Sequence, residues 1–218
     1  RAVVVTGGPK VFAAGADITQ FAENGGAEPF SVGTPERIGE IGAGFLDALG
    51  DLAALPCPTI AAVNGYCLGF ACTLVAACDF VIASERAEFG FPEVRIGVPT
   101  IQGSIRMPQK VGWQNAMELL LIGERVDAQR AKEMGLAWKV VPHEALMDEA
   151  RALAERLCKS APLAVRATKE VAWRGQQMPW VEAVRFGETM RRVAGATDDA
   201  KEGGAAAREK REPNWQAR

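Results

Sequence analysis

PTIAAVNGYCLGFACTLVAACD, residues 58–79, is the stretch whose reading decides the fold. The apolar β-type run Thr59 to Val63 meets Asn64-Gly65 and then Leu68-Gly69-Phe70, after which small residues continue without Pro or a charge up to Asp79. The pattern predicts a strand, a tight glycine turn and a buried helix beginning near Phe70. A helix that starts in a glycine turn aims its first backbone N–H groups and the positive end of its dipole at whatever faces the turn, so such an end can hold an oxyanion. An ordinary strand-to-helix turn in an α/β core is the alternative that this stretch leaves open.

Upstream, Ala2 to Val5 predicts a first strand that ends in Thr6-Gly7-Gly8-Pro9. Neither GxGxxG nor the P-loop pattern occurs there, which argues against a dinucleotide or P-loop site. Lys10 to Ile18, KVFAAGADI, is rich in small residues that either let backbone approach a ligand closely or pack as a tight loop. Residues 19–33, with Asn24-Gly25-Gly26, Pro29 and Gly33, read as a flexible loop able to cover a site. Thr34-Pro35 then caps a long amphipathic helix, since Ile38, Ile41, Phe45, Leu49, Leu52 and Leu55 recur at three- and four-residue steps. Pro56-Cys57-Pro58 ends it.

Downstream, Phe80 to Ala83 predicts a short buried strand. Glu88 to Pro99 is a loop-rich segment in which one carboxylate, Glu93, stands among Phe89, Phe91 and Val94. From Gly112 the chain turns helical, from Trp113 to Ile122, and Asp127 then caps a helix over Ala128 to Met134 that Gly135 closes. Leu136 to Val141 predicts another strand. Strands alternating with helices imply α/β layers around a mainly parallel sheet. Beyond Pro142 helical periods take over, at 143–160, 162–174, 177–194 and 198–210. The expected organisation is an α/β core over 1–141 and a helical C-terminal region over 142–218. Trp173, Trp180, Val181, Val184 and Phe186 of that region are expected to pack on the body or on a neighbouring subunit.

The 218 residues, 48% of them hydrophobic, can supply a sizeable core. With 25 basic and 27 acidic residues interspersed, the net charge of -2 offers no field for nucleic acid or an anionic membrane. The five cysteines are odd in number, sit mostly in apolar runs and form no CxxC, so reduced core thiols and a cytoplasmic location are expected. No apolar run reaches the roughly eighteen residues of a membrane span, and no leader precedes the first strand. Because Arg1 stands directly before a strand, without Met, residues are expected to be missing ahead of it. The single histidine, His143, lies far in sequence from every motif, and no spacing of His, Cys or Asp marks a metal site or a hydrolytic triad.

Taken together, these residues resemble the crotonase, or enoyl-CoA hydratase/isomerase, superfamily. Lys10 to Asp17 resembles its AFxAGAD segment, and Val63 to Gly69 its NGxxxG turn. Phe89-Gly90-Phe91-Pro92-Glu93 with Gly97 and Pro99 is similar to its FGxPE…G…P segment, and Asp198 to Gly203 to the start of its last helix. The resemblance implies a spiral of ββα turns, whose first strand and helix would lie before Arg1, with a helical C-terminal trimerisation region, assembled as a homotrimer or homohexamer. It implies acyl-CoA substrates, with coenzyme A as part of the thioester and no separate cofactor or metal. The family's oxyanion hole maps onto the backbone N–H groups of Ala16 and Phe70. Its coenzyme A site maps onto Ala14, Ala16, Asp17 and Ile18. Lys201, Lys210 and Arg211 are candidates for the coenzyme A phosphates, with a solvated helical face as the alternative.

Two departures bear on the chemistry. Hydratases of the family use two carboxylates to orient water and move its proton; Glu93 matches one, but Thr73 stands at the other place. A Thr hydroxyl can hydrogen-bond water but cannot act as a base near neutral pH. In addition, Thr100 stands where hydratases usually carry glycine. The catalytic set expected is therefore Glu93, Ala16, Phe70 and Thr73, with one carboxylate sufficient for isomerisation. The alternative is a CoA-thioester binding protein with reduced or lost catalysis.

Overall fold

The computed structural model describes residues 1–8, 10–15, 50 and 52–218. Most of the long helix expected to end at Leu55, and the loop expected at 19–33, lie outside the described residues; residues 52–54 are helical.

Four strands, β1 (Val3–Thr6), β2 (Thr59–Val63), β4 (Phe80–Ser84) and β7 (Lys139–Val141), form a parallel sheet in the order β1-β2-β4-β7. All five residues of β2 are buried, as a strand flanked by parallel neighbours and covered on both faces must be. Its side chains divide with period two. Ile60 and Ala62 join Ile82 beneath Leu146, Ala150 and Leu153 of helix α5 (Leu146–Cys158), while Ala61 and Val63 face the larger core with Cys72, Val75, Phe89 and Met107. Fully burying each Val, Ile or Leu of this kind contributes about 1.5–3 kcal/mol, so both coats hold the sheet. The helical region expected from 142 thus begins inside the packing of the core.

A second sheet has the order β3-β5-β6, from β3 (Tyr66–Leu68), β5 (Glu88–Gly90) and β6 (Val126–Asp127). The first pair is parallel and the second antiparallel. Helix α1 (Phe70–Ala77) starts at the glycine turn and packs Ala71, Cys72 and Val75 into the core that both sheets share.

Where the sequence reading expected only loop at 88–99, the chain makes β5 and then a 3-10 turn over Pro92–Ile96; a three-residue strand is too short to show a period. Helix α2 (Gln102–Val111) was not expected at all, because Gly103 and Pro108 stand inside it. The helix expected over Trp113 to Ile122 is α3 (Trp113–Met117) followed by a π turn over Glu118–Ile122. Asp127 caps α4 (Ala128–Glu133) as expected, accepting the Arg130 N–H at 2.7 Å. The strand expected from Leu136 begins at Lys139, since both Leu136 and Ala137 still donate to Ala131 O.

Helices α6 (Pro162–Gly175), α7 (Trp180–Gly195) and α8 (Asp198–Glu209) complete the chain. Helix α6 is tied to the sheet by Lys169, whose Nζ reaches Cys57 O at 3.0 Å and Asp79 Oδ2 at 2.7 Å. The same carboxylate oxygen receives Thr59 N–H at 2.7 Å and Thr59 Oγ1–H at 2.9 Å. Trp173 of α6 packs beside Phe70, Ala53 and Ala77, as expected of a residue docked on the body. By contrast α7 buries none of its residues, and Trp180 is 80% exposed. Among the described residues no helix is long and apolar enough to cross a membrane.

Candidate active site

Three chain segments distant in sequence meet at the end of β3. Phe12 and Ala13 donate their N–H groups to Tyr66 O at 3.1 and 3.0 Å, and Leu68 N–H returns to Ala13 O at 3.1 Å. Ala13 thereby pairs with Cys67 in parallel, and the chain runs on to Gly15. Gly15 has φ 91°, and a Cβ there would stand 2.9 Å from Leu68 O and 3.7 Å from Gly69 Cα. Only glycine fits such a conformation and such an approach. On the other side, Gly69 N–H donates to Gly90 O at 2.9 Å, so β5 ends beside the same turn.

Gly69 is the hinge of the arrangement. It adopts φ 58° and ψ -126°, and α1 starts from it, with Cys72 and Thr73 donating to Gly69 O at 2.9 and 3.3 Å. A Cβ at position 69 would stand 2.8 Å from Glu93 Oε1. The carboxylate therefore lies directly over the turn from which the helix begins.

Glu93 reaches this place because Pro92 opens the 3-10 turn immediately after β5. Phe89 and Phe91 are fully buried beneath it. Loss of water pushes the Glu93 carboxyl pKa up, opposed by the residue's own backbone N–H and by the Thr100 hydroxyl. Burial disfavours the ionised form, and a carboxyl so placed suits proton exchange. Glu93 Oε2 is buried and lacks a hydrogen-bond partner among the described residues, as does Thr100 Oγ1.

The other expected site residues are distributed as follows. Thr73 is 1% exposed and lies one turn into α1. Phe70 is the first residue of α1, and Ala14 directly precedes Gly15. Ala16, Asp17 and Ile18 lie outside the described residues. Lys210, with φ 55°, ends α8. Arg211 spends its guanidinium on Glu202 and on Glu209 at 2.6 Å, and Lys201 pairs with Asp198 at 3.1 Å.

Sequence reasoning did not foresee that the Thr100 hydroxyl bears on the Glu93 carboxyl; two side chains seven residues apart in a segment of Gly and Pro have no periodic relation. Nor did it place His143, whose Nδ1 lies 3.1 Å from Ser84 Oγ, a contact that fastens the start of α5 to β4. All five cysteines are free thiols, and Cys67, Cys72 and Cys78 are buried. Burial pushes the Cys67 thiol pKa up, and that of Cys78 to about 11, leaving both un-ionised and inert. Among the described residues no group of three or more His, Cys, Asp or Glu is placed to hold a metal.

Among solved structures the chain shares the crotonase fold of enoyl-CoA hydratases. An enoyl-CoA hydratase subunit of Geobacillus kaustophilus superposes with a TM-score of 0.86 at 38% identity, covering 100% of this chain and 81% of that one. The enoyl-CoA hydratase of Bacillus anthracis gives 0.88 at 33% identity, covering 100% and 82%. A probable enoyl-CoA hydratase of Mycobacterium tuberculosis is 40% identical over 215 residues, 98% of this chain and 79% of that protein. The carnitinyl-CoA dehydratase of Citrobacter koseri is 36% identical over 222 residues, 100% of this chain and 81% of that protein. The family model described as enoyl-CoA hydratase/isomerase matches residues 1–218. The chain belongs to the enoyl-CoA hydratase/isomerase family.

Proposed function

We propose that the protein acts on an acyl-CoA thioester through an enolate, with Glu93 as its single acid/base and the backbone amides of Ala16 and Phe70 as the oxyanion donors. The observation that carries this reading is the Glu93 carboxylate lying against Gly69, where α1 begins. Gly15, seated on Leu68 and Gly69, supports the convergence of the two amide-bearing segments. When the C2–H bond breaks, its proton passes to Glu93 and its electron pair moves onto the thioester oxygen. Preorganised N–H donors stabilise that charge, and loss of one such donor typically costs about a hundredfold or more in rate.

With a 3-enoyl thioester the same carboxylate returns the proton at C4, moving the double bond into conjugation. Hydration asks more, since water must be oriented as well as deprotonated, and Thr73 brings no second carboxylate. The relatives named hydratase and dehydratase make hydration the natural comparison, while the residues of this site lean toward isomerisation. Thr73 equally motivates the second reading, a thioester-binding protein with reduced catalysis.

Glu93→Gln, assayed with crotonyl-CoA and a 3-enoyl-CoA beside calorimetric titration with the thioester, tests the assignment. Turnover lost with binding retained supports it; unchanged turnover removes Glu93 from the mechanism. Tight binding with no product from any enoyl substrate, in the unaltered protein, favours the binding protein.

Two further parts of the reading follow. Assembly into trimers would cover the apolar residues that α7 exposes, Trp180, Val181, Val184 and Val193. For the coenzyme A phosphates Lys210 is the better candidate, because Arg211 already has its charge matched by Glu202 and Glu209.

A further inference from the structure

Glu93 presents two oxygens to two different neighbours. Oε1 lies against Gly69, while among the described residues Oε2 is buried and unpartnered; Asn64 Oδ1 and Thr100 Oγ1 share that condition, and of the three only the Thr100 hydroxyl can donate. Leaving a buried donor and a buried acceptor unpaired is costly, and Glu93 and Thr100 belong to one stretch of chain. Gly97, at φ 77°, reverses the backbone after the 3-10 turn, and Val98 N–H bonds back to Glu93 O at 3.0 Å, so the chain doubles back on Glu93 two residues before Thr100. There Thr100 is held from two other sides. Its Cγ2 stands 2.6 Å from where a Cβ at position 103 would be, so Gly103 makes its seat beside the Phe91 ring. Its carbonyl accepts the Ser104 hydroxyl. The hydroxyl favours the ionised carboxylate against the cost of burial, although the two oxygens stop short of hydrogen-bond geometry.

We propose that Thr100 is a positioning residue for the acid/base: its hydroxyl, unpaired among the described residues of the free protein, turns to donate to Glu93 Oε2 when substrate binds and fixes the rotation of the carboxylate, so that Oε1 alone carries the proton to and from the substrate carbon. The proposal rests on the reading of Glu93 as acid/base. A valine would fill the same seat, so packing against Gly103 does not call for the hydroxyl. Proton transfer stays balanced throughout, because Oε2 accepts from Thr100 whether Oε1 holds the substrate proton or not.

The test compares Thr100→Val, which keeps the shape and removes the donor, with Thr100→Ser, which keeps the donor, using trans-3-hexenoyl-CoA. For Thr100→Val kcat is expected to fall about tenfold, the effect of one hydrogen bond to a charged group, with KM within twofold of the unaltered protein. The acid limb of kcat/KM is expected to move to higher pH, and Thr100→Ser to restore both. Should Thr100→Val not fold, Thr100→Ala gives the same comparison. An unmoved acid limb and unchanged kcat in Thr100→Val, beside an inactive Glu93→Gln, overturn the role of Thr100 alone. An active Glu93→Gln overturns the acid/base reading, and this proposal with it.

Discussion

Glu93 Oε1 occupies the space that a side chain at Gly69 would need, 2.8 Å from the position of the missing Cβ. The same glycine holds φ 58°, where side chains are strained. One residue thus both turns the chain into α1 and makes room for the carboxylate.

Gly69→Ala is therefore expected to displace Glu93 as well as strain the turn. Turnover should fall by about a hundredfold or more, as when an oxyanion donor is misplaced, while folding stability falls by only about 1–3 kcal/mol. Steady-state kinetics beside denaturant unfolding will separate the two effects. A variant as active as the unaltered protein would show that the turn and the carboxylate do not depend on each other.

The raised pKa of Glu93 has a consequence for stability, with its sign fixed by linkage. The folded chain holds the proton more strongly than the unfolded chain. The group's contribution is thus intact below the ordinary carboxylate pKa and is lost as pH rises through the raised one. Glu93→Gln, which is neutral throughout, should melt at a higher temperature than the unaltered protein at pH 7, and the difference should shrink in acid. Calorimetric scans across pH measure it; a gain that does not depend on pH would assign it to another cause.

Thr73→Glu is expected to raise hydration of crotonyl-CoA by about tenfold or more, the usual scale of general acid/base assistance being larger still. Thr73→Gln, of the same size without the charge, should not. If neither variant changes the rate, or if the unaltered protein already hydrates crotonyl-CoA rapidly, the missing carboxylate does not set the reaction.

Lys169 and Asp79 join α6 to the sheet across ninety residues of sequence, with side chains 13% and 29% exposed. Lys169→Met removes the nearer cation and leaves a half-buried carboxylate with Thr59 and the more distant charge of Lys110. Stability should fall by about 2 kcal/mol, less than for a fully buried pair because water still reaches Asp79. A shift in urea midpoint at constant slope checks it, and an unshifted midpoint would show that α6 is held by packing only.

Much of this arrangement was legible from residues alone where a local pattern dictated it. The run Thr59 to Val63 and the uncharged tract after Phe70 were legible as a buried strand and a buried helix, but β3 between Gly65 and Gly69, where a single tight turn was expected, was not. Asp127 and Gly135 bracketed α4 by capping chemistry. What remained hidden came from tertiary contacts or from breakers inside elements. Helix α2 carries Gly103 because Phe91 and Thr100 fill the space of its side chain, a reason that exists only in the fold. Pro108, a helix breaker by its own chemistry, completed the disguise. Thr100 could be seen as a departure from family pattern, but its influence on Glu93 arises only once the chain reverses at Gly97. Likewise the hydrogen bond between Ser84 and His143 joins residues that share no motif.

The central claim, that Glu93 draws a proton from the carbon beside a thioester held as its enolate, is tested most directly by hydrogen exchange at that carbon. Butyryl-CoA incubated with the protein in D2O, and followed by mass spectrometry, is predicted to gain deuterium at C2 with the unaltered enzyme and none above background with Glu93→Gln. Deuterium entering at the same rate with both proteins would contradict the account.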